Sequence, residues 1–275
     1  MLDFELILAN VRQKTPLIHN ITNYVTVNDC ANILLACGAS PIMSDDADEV
    51  EEITSICGGL NINIGTLNRN TIPSMLLAGK RANELGHPVL LDPVGAGASK
   101  LRTETACQLI RELKLAVIRG NASEIKTLAV GTGSTKGVDA DERDQATADN
   151  LERIIAEARK LSVSTGAVIA ITGATDIIVD GKQACLIANG HPLMSKVTGT
   201  GCMLSALLAA FVTANQEQPF EATCAAVIAM GLCGEIAQRR LSSLDGNSSY
   251  RNYLIDAVYN LTADQLQEGA KYEMR

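Results

Sequence analysis

Along the chain, stretches with apolar residues every three or four positions alternate with short runs that are apolar almost throughout. The first pattern is the buried stripe of a helix and the second a strand covered on both faces, so the alternation predicts a parallel sheet sheathed by helices. Residues 2–14 read as an amphipathic helix, Leu17-Ile18 as a strand end, and 25–37 as a helix entered after Thr22 and Asn23 and closed by Gly38. Pro41-Ile42-Met43 follows as a short strand. Helix 48–57 precedes strand 60–64, helix 72–85 precedes strand 89–91, and helix 103–113 precedes strand 115–118. A stretch rich in Gly, Thr and Asp at 131–149 leads to helix 150–162 and strand 167–171. Residues 176–180 and 183–187 flank Gly181-Lys182, a two-residue connection suited to a hairpin, so the later edge of the sheet is expected to turn antiparallel. From Gly199 onward the chain reads as a long apolar helix and then two or three more helices up to residue 273.

In open α/β sheets, function sits at the carboxyl ends of the strands, where loops and helix N-termini converge. The polar residues here fall at those ends: His19-Asn20, Met43-Ser44, Asp92, Arg119-Gly120-Asn121 and Thr172-Gly173.

Composition narrows the function classes. With 275 residues, 47% hydrophobic and 20% charged, the chain can bury a large core, and one domain spanning 1–275 is the expectation. Only 3% of residues are aromatic, none is Trp, and the formal charge is −8 without a Lys/Arg cluster, which argues against nucleic acid as a partner. The eight cysteines form no C-x-x-C pair, so neither a zinc knuckle nor a redox motif is spelled out, and most are expected as buried thiols. The N-terminus has no basic region or apolar signal core, and no membrane span is expected, so the cytoplasm is the expected compartment.

The familiar phosphate loops are absent. Gly95-Ala96-Gly97 lacks the third glycine of the dinucleotide fingerprint, and Gly131-Thr132-Gly133 is followed by Ser-Thr-Lys rather than Gly-Lys-Ser/Thr. Gly199-Thr200-Gly201-Cys202 is different: small residues entering an apolar helix let backbone N–H groups point into one concavity, an anion hole for a transferring phosphoryl group. The plain alternative is a tight turn before a buried helix. Cys202 falls in the first turn of that helix, where the dipole favours a thiolate able to take a proton from a substrate alcohol; inert packing is the competing reading. Asp92 and Glu124 are two carboxylates suited to holding Mg²⁺ through water, and Arg119 offers a planar fork for ATP phosphates. Asn121 to Glu124 also matches a helix capping box, and both roles are compatible.

Taken together, His19-Asn-Ile-Thr-Asn23, Pro41-Ile-Met-Ser44, Asn63-Ile-Gly-Thr66, Asp92-Pro-Val-Gly-Ala-Gly97, Arg119-Gly-Asn-Ala-Ser-Glu124, Gly137-Val-Asp139, Ile171-Thr-Gly173 and Val197-Thr-Gly-Thr-Gly-Cys202 closely resemble the hydroxyethylthiazole kinase family. The resemblance spans most of the chain in the family's order. It implies a ribokinase-like three-layer α/β/α sandwich with a mostly parallel sheet, and transfer of the ATP γ-phosphate to 4-methyl-5-(2-hydroxyethyl)thiazole in thiamine salvage. It further implies that Met43 and Gly199 bind the thiazole, that Asn23 is a further substrate contact, that Arg119 and Thr172 bind ATP, and that Asp92 and Glu124 serve Mg²⁺. Sugar kinases of the wider superfamily usually carry Asp where Cys202 stands, and a weaker base is tolerable if the transition state is loose. The family is typically a homotrimer with sites between neighbouring subunits. Three rival readings are a pyrimidine or sugar kinase, a binding protein that has lost turnover, and a nucleotide-dependent dehydratase, the last of which needs an acid at 202.

Overall fold

The computed structural model describes residues 2–129 and 150–275. The sequence motifs at Gly131-Thr132-Gly133 and Gly137-Val138-Asp139 lie outside the described residues. Among the described residues nine strands make one sheet in the order β2-β1-β3-β4-β5-β6-β7-β8-β9. The first six are parallel: β1 (Leu17–Ile21), β2 (Ser40–Met43), β3 (Gly59–Asn63), β4 (Val89–Asp92), β5 (Val117–Asn121) and β6 (Val168–Thr172). The last three, β7 (Asp176–Val179), β8 (Ala184–Ile187) and β9 (Tyr272–Met274), add on antiparallel.

Strand side chains alternate between two apolar layers, because successive residues of a strand point to opposite faces. Ile18, Leu90, Val117, Val168 and Ile178 join a core with α1 (Phe4–Lys14), α2 (Val27–Cys37), α8 (Thr200–Ala214), α9 (Pro219–Arg240), α10 (Asn247–Asn260) and α11 (Ala263–Gly269). Leu60, Ile62, Leu91, Ile118 and Ile169 face the other way, onto α3 (Val50–Ile56), α4 (Thr71–Glu84), α5 (Lys100–Glu112), α6 (Ala122–Ala129) and α7 (Leu151–Thr165). The result is helix, sheet, helix. Helix α9 is long and apolar enough by composition to cross a membrane, but 83% of its most apolar window is buried inside the protein, as a core helix requires.

Three elements depart from the sequence expectation. Helix α6 follows β5 directly, where the sequence showed only its capping box. Pro192–Lys196 forms a 3-10 turn, started by Pro192 behind His191, whose ring accepts the Leu193 N–H. Most notably, the C-terminal residues are not helical: Tyr272–Met274 pair with β8, and Ala184 and Arg275 exchange both backbone bonds at 2.7 Å. Three residues are too few to show a period of two, so only the waiting edge of β8 makes them a strand. The β7–β8 connection forms as expected, with Asp180 Oδ1 accepting from Lys182 and Gln183 N–H across the turn.

Candidate active site

Strand order places the chain's crossing point between β1 and β3, since the chain leaves β1 for β2 and returns across to β3. A crevice opens at such a point at the carboxyl ends of the strands. Asn23, just past β1, and Asn63, the last residue of β3, face each other across it, with Asn23 Nδ2 donating to Asn63 Oδ1 at 3.1 Å. The amino end of α8 closes onto the same place.

Gly199 caps α8 at φ +86°, in the left-handed region that favours glycine, and a Cβ there would collide with Thr26. Among the described residues no side chain caps this helix, which leaves the N–H groups of its first turn open to another partner. The Thr200 hydroxyl is turned away, donating to Met194 O at 3.1 Å. Gly201 is needed for a different reason: a Cβ would come 2.6 Å from Arg119 Nη1, so the guanidinium lies against the bare backbone.

Cys202 is half-exposed while the other seven cysteines are buried, and all eight are free thiols. Its sulfur accepts from Asn23 Nδ2 at 3.0 Å and from Asn63 Nδ2 at 3.3 Å. Asn23 Oδ1 accepts both the N–H and the hydroxyl of Thr26, so the hydrogen-bonding capacity of Asn23 is fully engaged inside the protein. Thr26 thus links Asn23 to the surface against which Gly199 packs.

Asp92 is fully buried at the end of β4. One oxygen, Oδ2, accepts from Asn63 Nδ2 (2.9 Å), Ser205 Oγ (2.8 Å) and Arg119 Nη1 (3.3 Å). The other, Oδ1, has no hydrogen-bond partner among the described residues. Burial pushes the Asp92 carboxyl up, and Arg119 is the largest opposing pull. Arg119 also donates from Nη2 to Thr172 Oγ1 at 2.7 Å, which joins the two expected ATP residues directly, and its Nε is buried without a partner among the described residues.

Glu124 forms the capping box that the sequence suggested. It exchanges capping-box bonds with Asn121, N–H to Oε2 at 2.8 Å and N–H to Oδ1 at 2.9 Å, and its Oε1 accepts from Gly95 N–H at 2.8 Å. Burial raises its pKa, against the Gly95 bond and with the nearby Asp92 charge. An unpartnered buried oxygen on Asp92, beside a Glu whose oxygens each hold a single N–H, suits a cation that takes few protein ligands and keeps its waters. Among the described residues no group of three or more His, Cys, Asp or Glu forms a self-sufficient metal cage.

Met43 stands outside this bonded cluster. It ends β2 in register with Asn20 and packs partly buried against the same apolar layer as Cys202. His19 is a buried orienter rather than a proton shuttle: Nδ1 pairs with Thr54 Oγ1 and Nε2 with Ser44 O, both at 2.9 Å, and burial lowers its pKa. Asn63, Ser205 and Thr26 were given no role by the sequence. Ser205 carries a faint signal, three residues after Cys202 and therefore on the same helical face. Asn63 carried a fainter one, a polar residue alternating with Ile62 and Ile64 at a strand end.

The comparisons with known proteins agree with this architecture. A family model described as "Hydroxyethylthiazole kinase family" matches residues 8–264. A hydroxyethylthiazole kinase from Clostridium acetobutylicum is 67% identical over 266 residues, covering 97% of each chain. Among solved structures, a hydroxyethylthiazole kinase from Pyrococcus horikoshii superposes with a TM-score of 0.87 at 34% identity, over 99% of this chain and 98% of the other. A ribokinase-like superfamily protein from Enterococcus faecalis shares the fold alone, at TM-score 0.59 and 14% identity over 91% and 88% of the two chains. The ribokinase-like fold and a match over nearly the whole chain together make this protein a member of the hydroxyethylthiazole kinase family.

Proposed function

We propose that the chain acts as one kinase domain that transfers the γ-phosphoryl group of ATP to the primary hydroxyl of 4-methyl-5-(2-hydroxyethyl)thiazole. The observation that carries this reading is the meeting of Cys202 Sγ, held by two amides, with the uncapped amino end of α8 at the strand crossing point. A hydroxyl placed against the sulfur can give up its proton there. The N–H groups at Gly199, Thr200 and Gly201 face the charge that spreads over the transferring phosphoryl group. Arg119, steadied by Asp92 and Thr172, adds a fixed positive charge on the nucleotide side. Asp92 and Glu124 would hold Mg²⁺, whose contribution when bound is to neutralise phosphate charge. Met43, Asn23 and Gly199 bound the thiazole end.

The reading includes a homotrimer and a cytoplasmic setting. Tyr24 and Val25, 77% and 57% exposed immediately beside Asn23, leave an apolar rim at the site mouth that a neighbouring subunit would cover. Eight free cysteines suit a reducing compartment.

The test is ADP formation with Mg-ATP and, in parallel, hydroxyethylthiazole, hydroxymethylpyrimidine, pyridoxal and ribose. Selective turnover of the thiazole is expected. Turnover of another alcohol instead removes the substrate assignment, and silence with all four removes the kinase reading.

A further inference from the structure

The geometry points to Asn63 as a positioning residue that sets the Cys202 sulfur and the Asp92 carboxylate at a fixed distance from one another. A side-chain amide has two N–H donors and an oxygen with two lone pairs. Asn63 uses all four inside the site. Nδ2 donates to Asp92 Oδ2 at 2.9 Å and to Cys202 Sγ at 3.3 Å. Oδ1 accepts from Asn23 Nδ2 at 3.1 Å and from Gly65 N–H at 2.9 Å. One planar group therefore spans the proton-accepting side and the phosphate-and-metal side of the proposed reaction.

Its own placement is rigid. Asn63 is buried, sits in register with Asp92 across the β3–β4 ladder, and is pinned from behind where a Cβ on Gly65 would come 2.9 Å from Oδ1. A planar amide held at both ends transmits strand geometry to the two groups it touches. By contrast, Ser205 reaches Asp92 only, and Asn23 reaches Cys202 only. Asn63 alone bonds to both among the described residues. Phosphoryl transfer depends mainly on the alignment of attacking oxygen, phosphorus and counter-charges, so a group fixing their spacing acts on the rate rather than on substrate binding.

This inference rests on the proposed phosphoryl transfer, so it is tested by two readouts of which one needs no turnover. Asn63→Asp is isosteric and keeps the acceptor toward Asn23 and Gly65, but it loses both donors. The expected result is a fall in kcat of about 10- to 100-fold, the usual effect of removing a supporting bond, with KM for the thiazole alcohol changed less than about threefold. Asn63→Ser, which retains one donor, recovers part of the loss. The second readout is alkylation of Cys202 by iodoacetamide, followed by peptide mass; as the half-exposed member of eight free thiols, Cys202 is the one the reagent reaches first. Asn63→Asp is expected to slow it several-fold, because a carboxylate replaces the amide donor at the sulfur.

Parental kcat in Asn63→Asp, or a raised KM with kcat unchanged, overturns the inference. Unchanged alkylation overturns the contact with Cys202 even if the parent turns over no thiazole, which separates this outcome from failure of the substrate assignment. If Asn63→Asp does not fold, Asn63→Ser carries both readouts, and parental values there overturn the inference equally.

Discussion

Two amide N–H donors converge on the sulfur of Cys202, and nothing in that arrangement is particular to sulfur. A carboxylate oxygen accepts from the same donors, and the family resemblance places Cys202 where sugar kinases of the wider superfamily usually carry Asp. Cys202→Asp is therefore expected to retain or raise turnover. Cys202→Ala removes the acceptor but leaves the uncapped N–H groups of α8 and Arg119 in place, so kcat should fall by about 10- to 100-fold, at or below the lower end of what a general base contributes. Steady-state rates of the two variants beside the parent check this, and parental kcat in Cys202→Ala removes the base role. At the same scale, Asp92 shows how a buried carboxylate is divided: three donors occupy Oδ2, and Oδ1 has no partner among the described residues.

The elements converge on the site through their ends, and the turn from β6 to β7 shows the cost of building an end there. Asp176 opens β7 and accepts the Gly173 N–H at 2.9 Å, next to Thr172. Burial nevertheless pushes its carboxyl up to about 7, from an ordinary value of 3.8. A raised carboxyl binds a proton in the folded protein where the unfolded chain has released it, so its contribution is fully present below about pH 4 and is lost as pH rises through about 7. Asp176→Asn keeps the acceptor and removes the charge. Urea unfolding at about pH 8 should therefore show the variant more stable than the parent, with the advantage shrinking at about pH 5. A variant less stable at about pH 8 would assign the Asp176 charge a stabilising role toward Arg119. Helix α6 carries the same lesson in a cap: Asn121 and Glu124 satisfy its first turn, and Glu124 is thereby aimed back at Gly95 and the site.

At the scale of the whole molecule, the sheet has one continuous parallel region, of which β1, β3 and β4 pack against α8, and β2 forms its outer edge. The site mouth beside that edge carries exposed Tyr24 and Val25. A trimer that covers this rim predicts a particle of about 87 kDa, three times 29.1 kDa, by light scattering under assay conditions. A mass near 29.1 kDa with full activity would mean that one subunit suffices.

The alternating pattern of the chain determined the element order and the parallel sheet, because burial on two faces leaves nearly continuous apolar runs in sequence, and the two-residue Gly181-Lys182 connection determined the antiparallel edge. Local chemistry determined the residues at the strand ends, the glycines entering α8 and the Glu124 cap, since each depends on neighbours within a few positions. What only the tertiary structure decided is which of those residues meet. Asn23, Asn63, Asp92, Arg119, Thr172, Cys202 and Ser205 come from five elements and the loop after β1, and strand order together with the seating of α8 brings them together. The bond from Asn63 to Asp92 follows from register across β3 and β4, and that from Ser205 follows from the depth at which α8 packs on the sheet. The C-terminal strand is the same case in miniature: three residues of ordinary composition become β9 because the edge of β8 offers unpaired backbone groups 85 residues or more away in the chain, and the flanking bond from Ala188 N–H to Lys271 O closes 83 residues.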